Sequence, residues 1–238
     1  MEKRKIWFLV ILASIIIGGV LLGGYSKRSQ PEIAEGGETI RLPPPRHRGE
    51  LSVEEAIFRR RSIRRFTDEP LTLEEVSQLL WAAGGETIDG ITGATRAYPS
   101  AGGIYPLEIY LIAGNVGGLP SGIYHYNWRK HTITLVKEGD FRLQLTAAAL
   151  GQRMVANAPV SIVWTADFAR TTRRYGKRGE RYVHMDVGGA GQNVHLQAEA
   201  LDLGTVIIGA FRDEDVKEIL GVKNEVPLYI MPVGKKRF

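Results

Sequence analysis

The 238-residue sequence contains no cysteine. Disulfides, thiol catalysis and cysteine-ligated zinc or iron–sulfur centres are therefore excluded. The five histidines lack the spacing of metal ligands, since His184 and His195 share a predicted helix but are eleven residues apart, and we expect no metal site. The glycine fingerprint of a Rossmann domain is also missing, which excludes a dedicated dinucleotide-binding domain.

The composition is that of a globular protein, with 44% hydrophobic and 24% charged residues. The formal net charge of +5 and the pI near 9.4 raise the question of a polyanionic partner. Because the basic residues form clusters that have local explanations, we expect no nucleic-acid partner.

An apolar run near the N-terminus predicts a membrane anchor. Lys3, Arg4 and Lys5 precede "IWFLVILASIIIGGVLLGG", which is long enough for a helix to cross a hydrocarbon core of about 30 Å. We expect residues 1–25 to be a single-pass anchor or uncleaved signal segment, residues 26–50 a Pro/Gly-rich tether, and residues 51–238 the folded domain. Basic residues on both sides of the run leave the orientation open.

Helices and strands are interleaved beyond the tether. Ser52 and Thr72 each precede a glutamate by three residues, which predicts two N-capped helices. Further helices are predicted at 141–150, 182–203 and 213–220, and strands at 107–113, 122–127, 131–136, 158–166, 205–210 and 227–234. This mixture predicts an α+β domain with a single sheet flanked by helices.

Five arginines occupy seven positions from Arg59 to Arg65. One interpretation is an exposed basic face without a ligand. In an extended segment, however, Arg60, Ser62 and Arg64 point the same way, and guanidinium groups with a hydroxyl suit a phosphate. The residues alone leave both interpretations open.

Two glycine-rich stretches are further candidates. "PSAGG", residues 99–103, stands just before a predicted strand and is either a tight turn or a loop that a ligand approaches closely. "DVGGAGQ", residues 186–192, places three glycines in a predicted helix, each costing about 1 kcal/mol relative to alanine. Close packing or direct ligand contact would each account for them. Gly209 and Ala210, after an apolar strand, present backbone N–H groups without bulky side chains.

Taken together, these stretches resemble the FMN-dependent nitroreductase superfamily, and more closely its SagB-type dehydrogenase branch. The resemblance runs from Leu42 to Val233 and includes, in order, "LPPP", "RRSIRRF", "PSAGGIYPLEIYL", "RGERYVHMDVGGAGQNVHLQA", "LGTVIIGAF" and "PLYIMPVG". It implies a nitroreductase-like fold and a homodimer joined through the long helix, with FMN at the subunit interface. It also implies two-electron hydride transfer through flavin N5, with NAD(P)H as a transient donor and a small molecule as acceptor.

The resemblance further implies a set of cofactor-binding residues. Arg60, Arg61, Ser62 and Arg64 would lie on the phosphate and ribityl side of FMN, and Pro99, Ser100, Ala101, Gly102 and Gly103 against its ring. Gln192, Ile208, Gly209 and Ala210 complete the set, with backbone donors of Gly209 and Ala210 near N5 and O4. Family members also use a basic residue near the C-terminus to bind the phosphate. The candidates here are Lys235, Lys236 and Arg237, and Lys236 is the predicted phosphate ligand.

One departure from the family bears on the reaction. SagB-type enzymes that oxidise azolines carry a Lys-Tyr pair where this sequence has Arg174 and Tyr175. Arginine stays protonated near neutral pH and is a poor base, which argues against azoline oxidation and leaves Tyr175 as a catalytic candidate acting as an acid. The alternatives to an NAD(P)H-dependent reductase are a dehydrogenase of a peptide or heterocycle, and a non-catalytic flavin-binding or electron-transfer module.

Overall fold

The computed structural model describes residues 37–87 and 95–237. Their strands are β1 (Thr39–Arg41), β2 (Glu86–Thr87), β3 (Thr95–Arg96), β4 (Leu107–Ala113), β5 (Gly122–Asn127), β6 (Thr132–Glu138), β7 (Val160–Ala166), β8 (Leu203–Thr205) and β9 (Val226–Lys235). Seven of them form an antiparallel sheet in the order β1-β6-β5-β4-β7-β9-β8. β2 and β3 form a separate two-stranded ladder, so the prediction of a single sheet is corrected.

The helices cover both faces of the seven-stranded sheet. They are α1 (Val53–Arg59), α2 (Leu73–Gly84), α3 (Arg142–Ala148), α4 (Met154–Asn157), α5 (Phe168–Tyr175), α6 (Arg178–Ala200) and α7 (Asp213–Leu220). Side chains of α2 and α6 share one buried cluster with Leu107, Ile109 and Leu111 of β4. Tyr110 and Ile112 of the same strand join α3, α4 and α7 in a second cluster. This alternation is the two-residue period of a strand buried on both faces.

Local sequence signals account for several element boundaries. The Thr72 side chain accepts a hydrogen bond from the Glu75 N–H at 3.2 Å, and the Glu75 carboxylate accepts one from the Thr72 N–H at 2.9 Å, completing the predicted capping box of α2. Ser52 caps α1 by accepting from the Glu55 N–H at 3.1 Å. The two predicted helix starts are therefore confirmed.

The long helix lies a few residues earlier than predicted. It begins at Arg178 and ends at Ala200, and the chain then turns through Asp202, whose φ is 54°, into β8. β8 covers 203–205 and so shares only residue 205 with the strand predicted at 205–210; beyond it, Ile208 forms an isolated bridge with Ile230. Pairing with β9 thus decides where the helix gives way to the strand.

The folded region begins ahead of Leu51, where the sequence analysis places its boundary. β1 pairs with β6, and the Leu42 N–H donates to the His131 carbonyl at 3.1 Å. Ser77 donates to the Pro43 carbonyl at 2.5 Å, and Gln78 bonds both backbone groups of Arg46. From Gly37 onwards, the described part of the predicted tether therefore belongs to the folded unit.

The prediction of a membrane location is corrected. Within residues 37–87 and 95–237, no helix combines the length and the apolar composition needed to cross a bilayer. The longest helix, α6, carries charged residues along its length and packs on the sheet. The apolar segment on which the prediction rests, residues 1–25, lies outside the described residues.

Candidate functional site

The "PSAGG" loop is a short 3₁₀ turn, Ala101–Gly103, leading into β4. Gly102 and Gly103 both have φ near 61°, a left-handed conformation that glycine adopts without penalty. The Gly103 N–H donates to the Ser100 carbonyl at 2.9 Å, and the Tyr105 N–H donates to Ser100 Oγ at 3.0 Å. The paired glycines are therefore required by the turn itself.

A buried carboxylate on α6 holds this loop. Ser100 Oγ donates to Asp186 Oδ2 at 2.6 Å, and Asp186 is 5% exposed. Burial raises the pKa of Asp186 to about 6, against the opposing effect of hydrogen bonds from Ser100 and the Ala101 backbone. Asp186 is not among the residues predicted from the sequence to form the site. The available signal was a carboxylate within the apolar stripe of α6, between Val183 and Val187.

The end of α5 lies against the same loop. A Cβ built on Gly102 would be 2.6 Å from Tyr175 Oη and 2.8 Å from Arg174 Nη1. The Arg174 guanidinium lies 5.4 Å from the centre of the Tyr175 ring, which in turn packs edge-on against Tyr182. The predicted catalytic candidate, Tyr175, is thus adjacent to the predicted flavin loop, although the two are more than 70 residues apart in sequence.

The segment after β8 approaches α6 from another direction. A Cβ on Gly191 would be 3.1 Å from Ile207 Cδ1, whereas one on Gly209 would meet no described residue within 4 Å. Gly209 and Ala210 are exposed. Ile208 differs from its neighbours because its side chain is buried in the opposite cluster and its N–H and carbonyl both pair with Ile230. Ile208 therefore has no polar group left to offer a ligand.

The arginine segment leaves α1 as irregular extended chain. Ile63 packs against Gly204, and its N–H donates to the Thr205 carbonyl at 2.9 Å. The flanking Ser62 and Arg64 are exposed, as are Arg61 and Arg65, while Arg60 is half-buried. Burial, and secondarily the Arg60 charge, lower the pKa of His195 on α6 to about 4. Within the described ranges, neither Arg60 nor Arg64 forms an ion pair.

The C-terminal lysines are already paired with carboxylates. Lys236 Nζ contacts Glu199 Oε1 at 3.0 Å and Asp202 Oδ1 at 3.1 Å, and Lys235 pairs with Glu75. Arg237 is exposed and has no ion pair within residues 37–87 and 95–237. The charge of Lys236 is thus largely neutralised, so Arg237 is better placed than Lys236 to meet an external anion.

Helix α6 lies next to three of the predicted groups: the loop, the arginine segment and the C-terminal lysines. Asp186 accepts a hydrogen bond from the loop, and a Cβ built on Gly189 would lie 3.8 Å from Pro99 Cδ. Further along the helix, His195 lies near Arg60, and Glu199 forms an ion pair with Lys236. The fourteen residues from Asp186 to Glu199 span about 20 Å of helix. Gln192, on the same helix, is exposed. Helix α6 therefore links the predicted loop with Arg60 and Lys236.

A cavity of about 670 Å³ lies elsewhere. It is lined by Pro45, His47, Trp81, Glu86, Thr87, Trp128, Arg129 and His131, none of which the sequence analysis selects. Burial lowers the pKa of His131, which bonds Ser77, Tyr126 and the Pro43 carbonyl. The Trp128 and Tyr105 ring centres are 6.3 Å apart. Because His131 is engaged in structural hydrogen bonds and His47 packs against Trp81, the loop remains the candidate site.

Comparison with known proteins identifies the family. The model of the family described as "Nitroreductase family" matches residues 57–235. A protein of Methanocaldococcus jannaschii named as a nitroreductase is 45% identical over 187 residues, covering 79% of this chain and 92% of the relative.

More distant relatives are named for more specific roles. The trifolitoxin operon protein TfxC of Rhizobium leguminosarum is 27% identical over 87% of this chain and 64% of its own length. An FMN reductase [NAD(P)H] of Bacillus subtilis is 26% identical over 73% of this chain and 59% of its own length. The chain thus spans somewhat less than two thirds of each of these two relatives.

The fold comparison agrees with the sequence comparison. A crystal structure described as a nitroreductase from Anabaena variabilis superimposes with a TM-score of 0.73 at 30% identity, covering 84% of this chain and 42% of that one. The predicted family is confirmed: the chain belongs to the nitroreductase family and is an oxidoreductase.

Proposed function

We propose that residues 37–237 form an FMN-binding catalytic domain whose site runs along α6, from the "PSAGG" loop to the arginine segment. The observation that carries the proposal is that one helix, α6, bonds the side-chain-poor loop through Asp186 and has His195 near Arg60 of the arginine segment. The name of the Bacillus subtilis relative, an FMN reductase [NAD(P)H], supports the same cofactor.

The residues present fit FMN chemically. A Cβ on Gly209 would meet none of residues 37–87 and 95–237 within 4 Å, so a ring can approach this backbone closely. Arg60 and Arg64 are cations without ion pairs in the described part of the chain, and with Ser62 they suit a phosphate. Arg237 is the C-terminal candidate for the same group, since Lys236 is neutralised by Glu199.

When bound there, FMN would supply two-electron hydride chemistry through N5, between a nicotinamide donor and a small-molecule acceptor. The chain's contribution is to position the cofactor and to set the charge around it. Ser100 and Asp186 fix the loop by their 2.6 Å hydrogen bond. Backbone N–H groups at Gly209 and Ala210 offer donors, and the arginines offer positive charge where anionic groups need it.

The test is reconstitution of the full-length protein with FMN. We expect stoichiometric yellow protein whose visible flavin band bleaches on anaerobic addition of NADH or NADPH. A protein that retains no flavin would refute the cofactor, and one that binds FMN but is bleached only by dithionite would refute the nicotinamide donor.

We also propose that the working unit is a homodimer. Helix α1 exposes Val53 (65%), Ile57 (55%) and Phe58 (88%), and Met185 on α6 is 61% exposed. Apolar side chains grouped on neighbouring helices are typical of a subunit interface. Light scattering of the full-length protein should give a dimer, and Phe58→Glu should shift it towards monomer. A wild-type monomer with full flavin content would contradict the proposal.

A second candidate function is dehydrogenation of a peptide or heterocyclic substrate. The position of Tyr175 Oη beside Gly102 favours it, as does similarity to the trifolitoxin operon protein TfxC. In that case Tyr175→Phe should abolish substrate oxidation yet leave flavin reduction by NAD(P)H unchanged. If Tyr175→Phe has no effect on any substrate turned over, the acid role of Tyr175 is refuted.

A further inference from the structure

A dense group of cations stands where α5 meets α6. We call it the rim cluster, and it consists of Arg173, Arg174, Lys177, Arg178 and Arg181, all exposed. Within 173–181 the only acidic residue is Glu180, so five positive charges and one negative charge leave +4. The whole chain carries +5. None of the five cations forms an ion pair within residues 37–87 and 95–237.

Helix stability does not account for the cluster. Arg173 and Arg174 lie in the last turn of α5, where the helix dipole favours cations. Lys177 and Arg178, however, stand at the start of α6 and Arg181 in its first turn, where the dipole disfavours positive charge. Arg178 and Arg181 are also three residues apart on one helix and repel each other. Helix stability therefore does not explain this concentration of positive charge, whereas binding of an external anion would explain it.

The cluster borders the candidate site. Arg174 Nη1 lies 2.8 Å from the position of a Cβ on Gly102, in the loop proposed to face the flavin ring. The Arg174 guanidinium also lies 5.4 Å from the centre of the Tyr175 ring, which keeps it at the loop. An anion held by the rim cluster would thus sit at the edge of this loop, beside the proposed reaction centre.

We propose that the rim cluster binds the phosphate groups of the nicotinamide dinucleotide and makes NADPH the preferred donor. This inference rests on the proposed function. Guanidinium groups pair with phosphate through two parallel hydrogen bonds, and five cations in one place suit a ligand with several phosphates. NADPH carries one phosphate more than NADH, so the positive charge of the rim cluster attracts NADPH more strongly than NADH.

The experiment compares FMN-loaded full-length wild type with Arg174→Gln, Arg178→Gln and Arg181→Gln. KM and kcat for NADPH and NADH are measured at two salt concentrations. Arg153→Gln is the matched control: Arg153 is exposed, and it precedes α4, whose Val155 is buried in the cluster on the opposite face of the sheet. Flavin content is measured in every preparation.

We expect a KM for NADPH at least about tenfold below that for NADH. Losing one charge-assisted contact should raise the NADPH KM about tenfold in each cluster variant, with little change in kcat and a smaller effect on NADH. Added salt should weaken NADPH binding in the wild type. Arg153→Gln should match the wild type throughout.

Equal KM values for the two nucleotides, unchanged in the variants, would overturn the proposal. Loss of bound FMN from Arg174→Gln would overturn it too, because the cluster would then serve the flavin instead of the donor. Failure of the proposed function has a different signature: the wild type itself would bind no FMN, or neither nucleotide would reduce it.

Discussion

Gly102→Val should strongly weaken FMN binding while leaving the apoprotein folded. Gly102 has φ 61° and ψ 19°, a left-handed conformation that costs a residue with a Cβ about 1–2 kcal/mol. The new Cβ would also lie 2.6 Å from Tyr175 Oη and 2.8 Å from Arg174 Nη1. Both are ends of side chains at a helix terminus, and they can move aside.

The strain introduced by Gly102→Val is to be compared with the stability of the domain and with the affinity for FMN. A strain of about 1–2 kcal/mol is small beside the roughly 5–15 kcal/mol by which domains are stable, so folding should survive. Relief of that strain requires the loop, Arg174 or Tyr175 to shift, and each of them borders the proposed cofactor. We therefore expect at least about a tenfold loss of FMN affinity, equivalent to about 1.4 kcal/mol.

The assay is FMN titration, with circular dichroism and urea unfolding of the apoproteins. Ala101→Val is the matched control, because Ala101 lies in the same turn but is not among the residues with positive φ. It should weaken FMN binding without the backbone strain. If both variants are folded and bind FMN like the wild type, the loop is only a turn and the placement of the cofactor is refuted.

Other variants test neighbouring parts of the site. Arg60→Ala should weaken FMN affinity about tenfold or more, since a charge-assisted contact contributes about 1.5–3 kcal/mol, and Arg65→Ala should weaken it less; equal losses in FMN titrations would refute the assignment. Because the folded-state pKa of Asp186 is raised from 3.8 to about 6, the wild-type apoprotein should lose stability as pH rises from about 4 to 6. Asp186→Asn should lack this contribution in urea unfolding, and identical pH profiles would contradict it. Gly188→Ala should stabilise α6 by about 1 kcal/mol, because the new Cβ would meet no described residue within 4 Å. Gly191→Ala should gain less or nothing, since its Cβ would lie 3.1 Å from Ile207, and equal melting shifts would argue against that contact.

Elements with their own strong signal could be predicted from the sequence. The strand Leu107–Ala113 and the helix Asp213–Leu220 fall where they were expected, because an apolar run or a clear helical period marks them. The capping box at Thr72 marks the start of α2 in the same way. In each case the information lies within a short window of sequence.

Elements that depend on a distant partner could not be predicted. β1 has three residues and no distinctive pattern, and it exists because β6 pairs with it. Helix α5 has one fully buried residue, the polar Thr171, so a periodic pattern of buried hydrophobic residues does not predict this helix. Its contact with Gly179 of α6, where a Cβ would lie 2.9 Å from Thr172 Cα, holds it in place. Tyr175 and Arg174 reach the loop for the same reason.

The candidate site shows the same division between local and distant information. Motifs located the loop and the arginine segment, but only the fold reveals that Asp186 anchors one and that His195 lies beside the other. The fold also shows that the glycines of α6 have different surroundings. A Cβ on Gly191 would press against Ile207, whereas one on Gly188 would meet nothing within 4 Å in the part of the chain that the structure describes. Glycine at position 188 costs helix stability, and no described residue occupies the space where its Cβ would lie. Gly191 and Gly188 thus differ although they stand three residues apart: packing within the domain favours glycine at 191 and does not require it at 188.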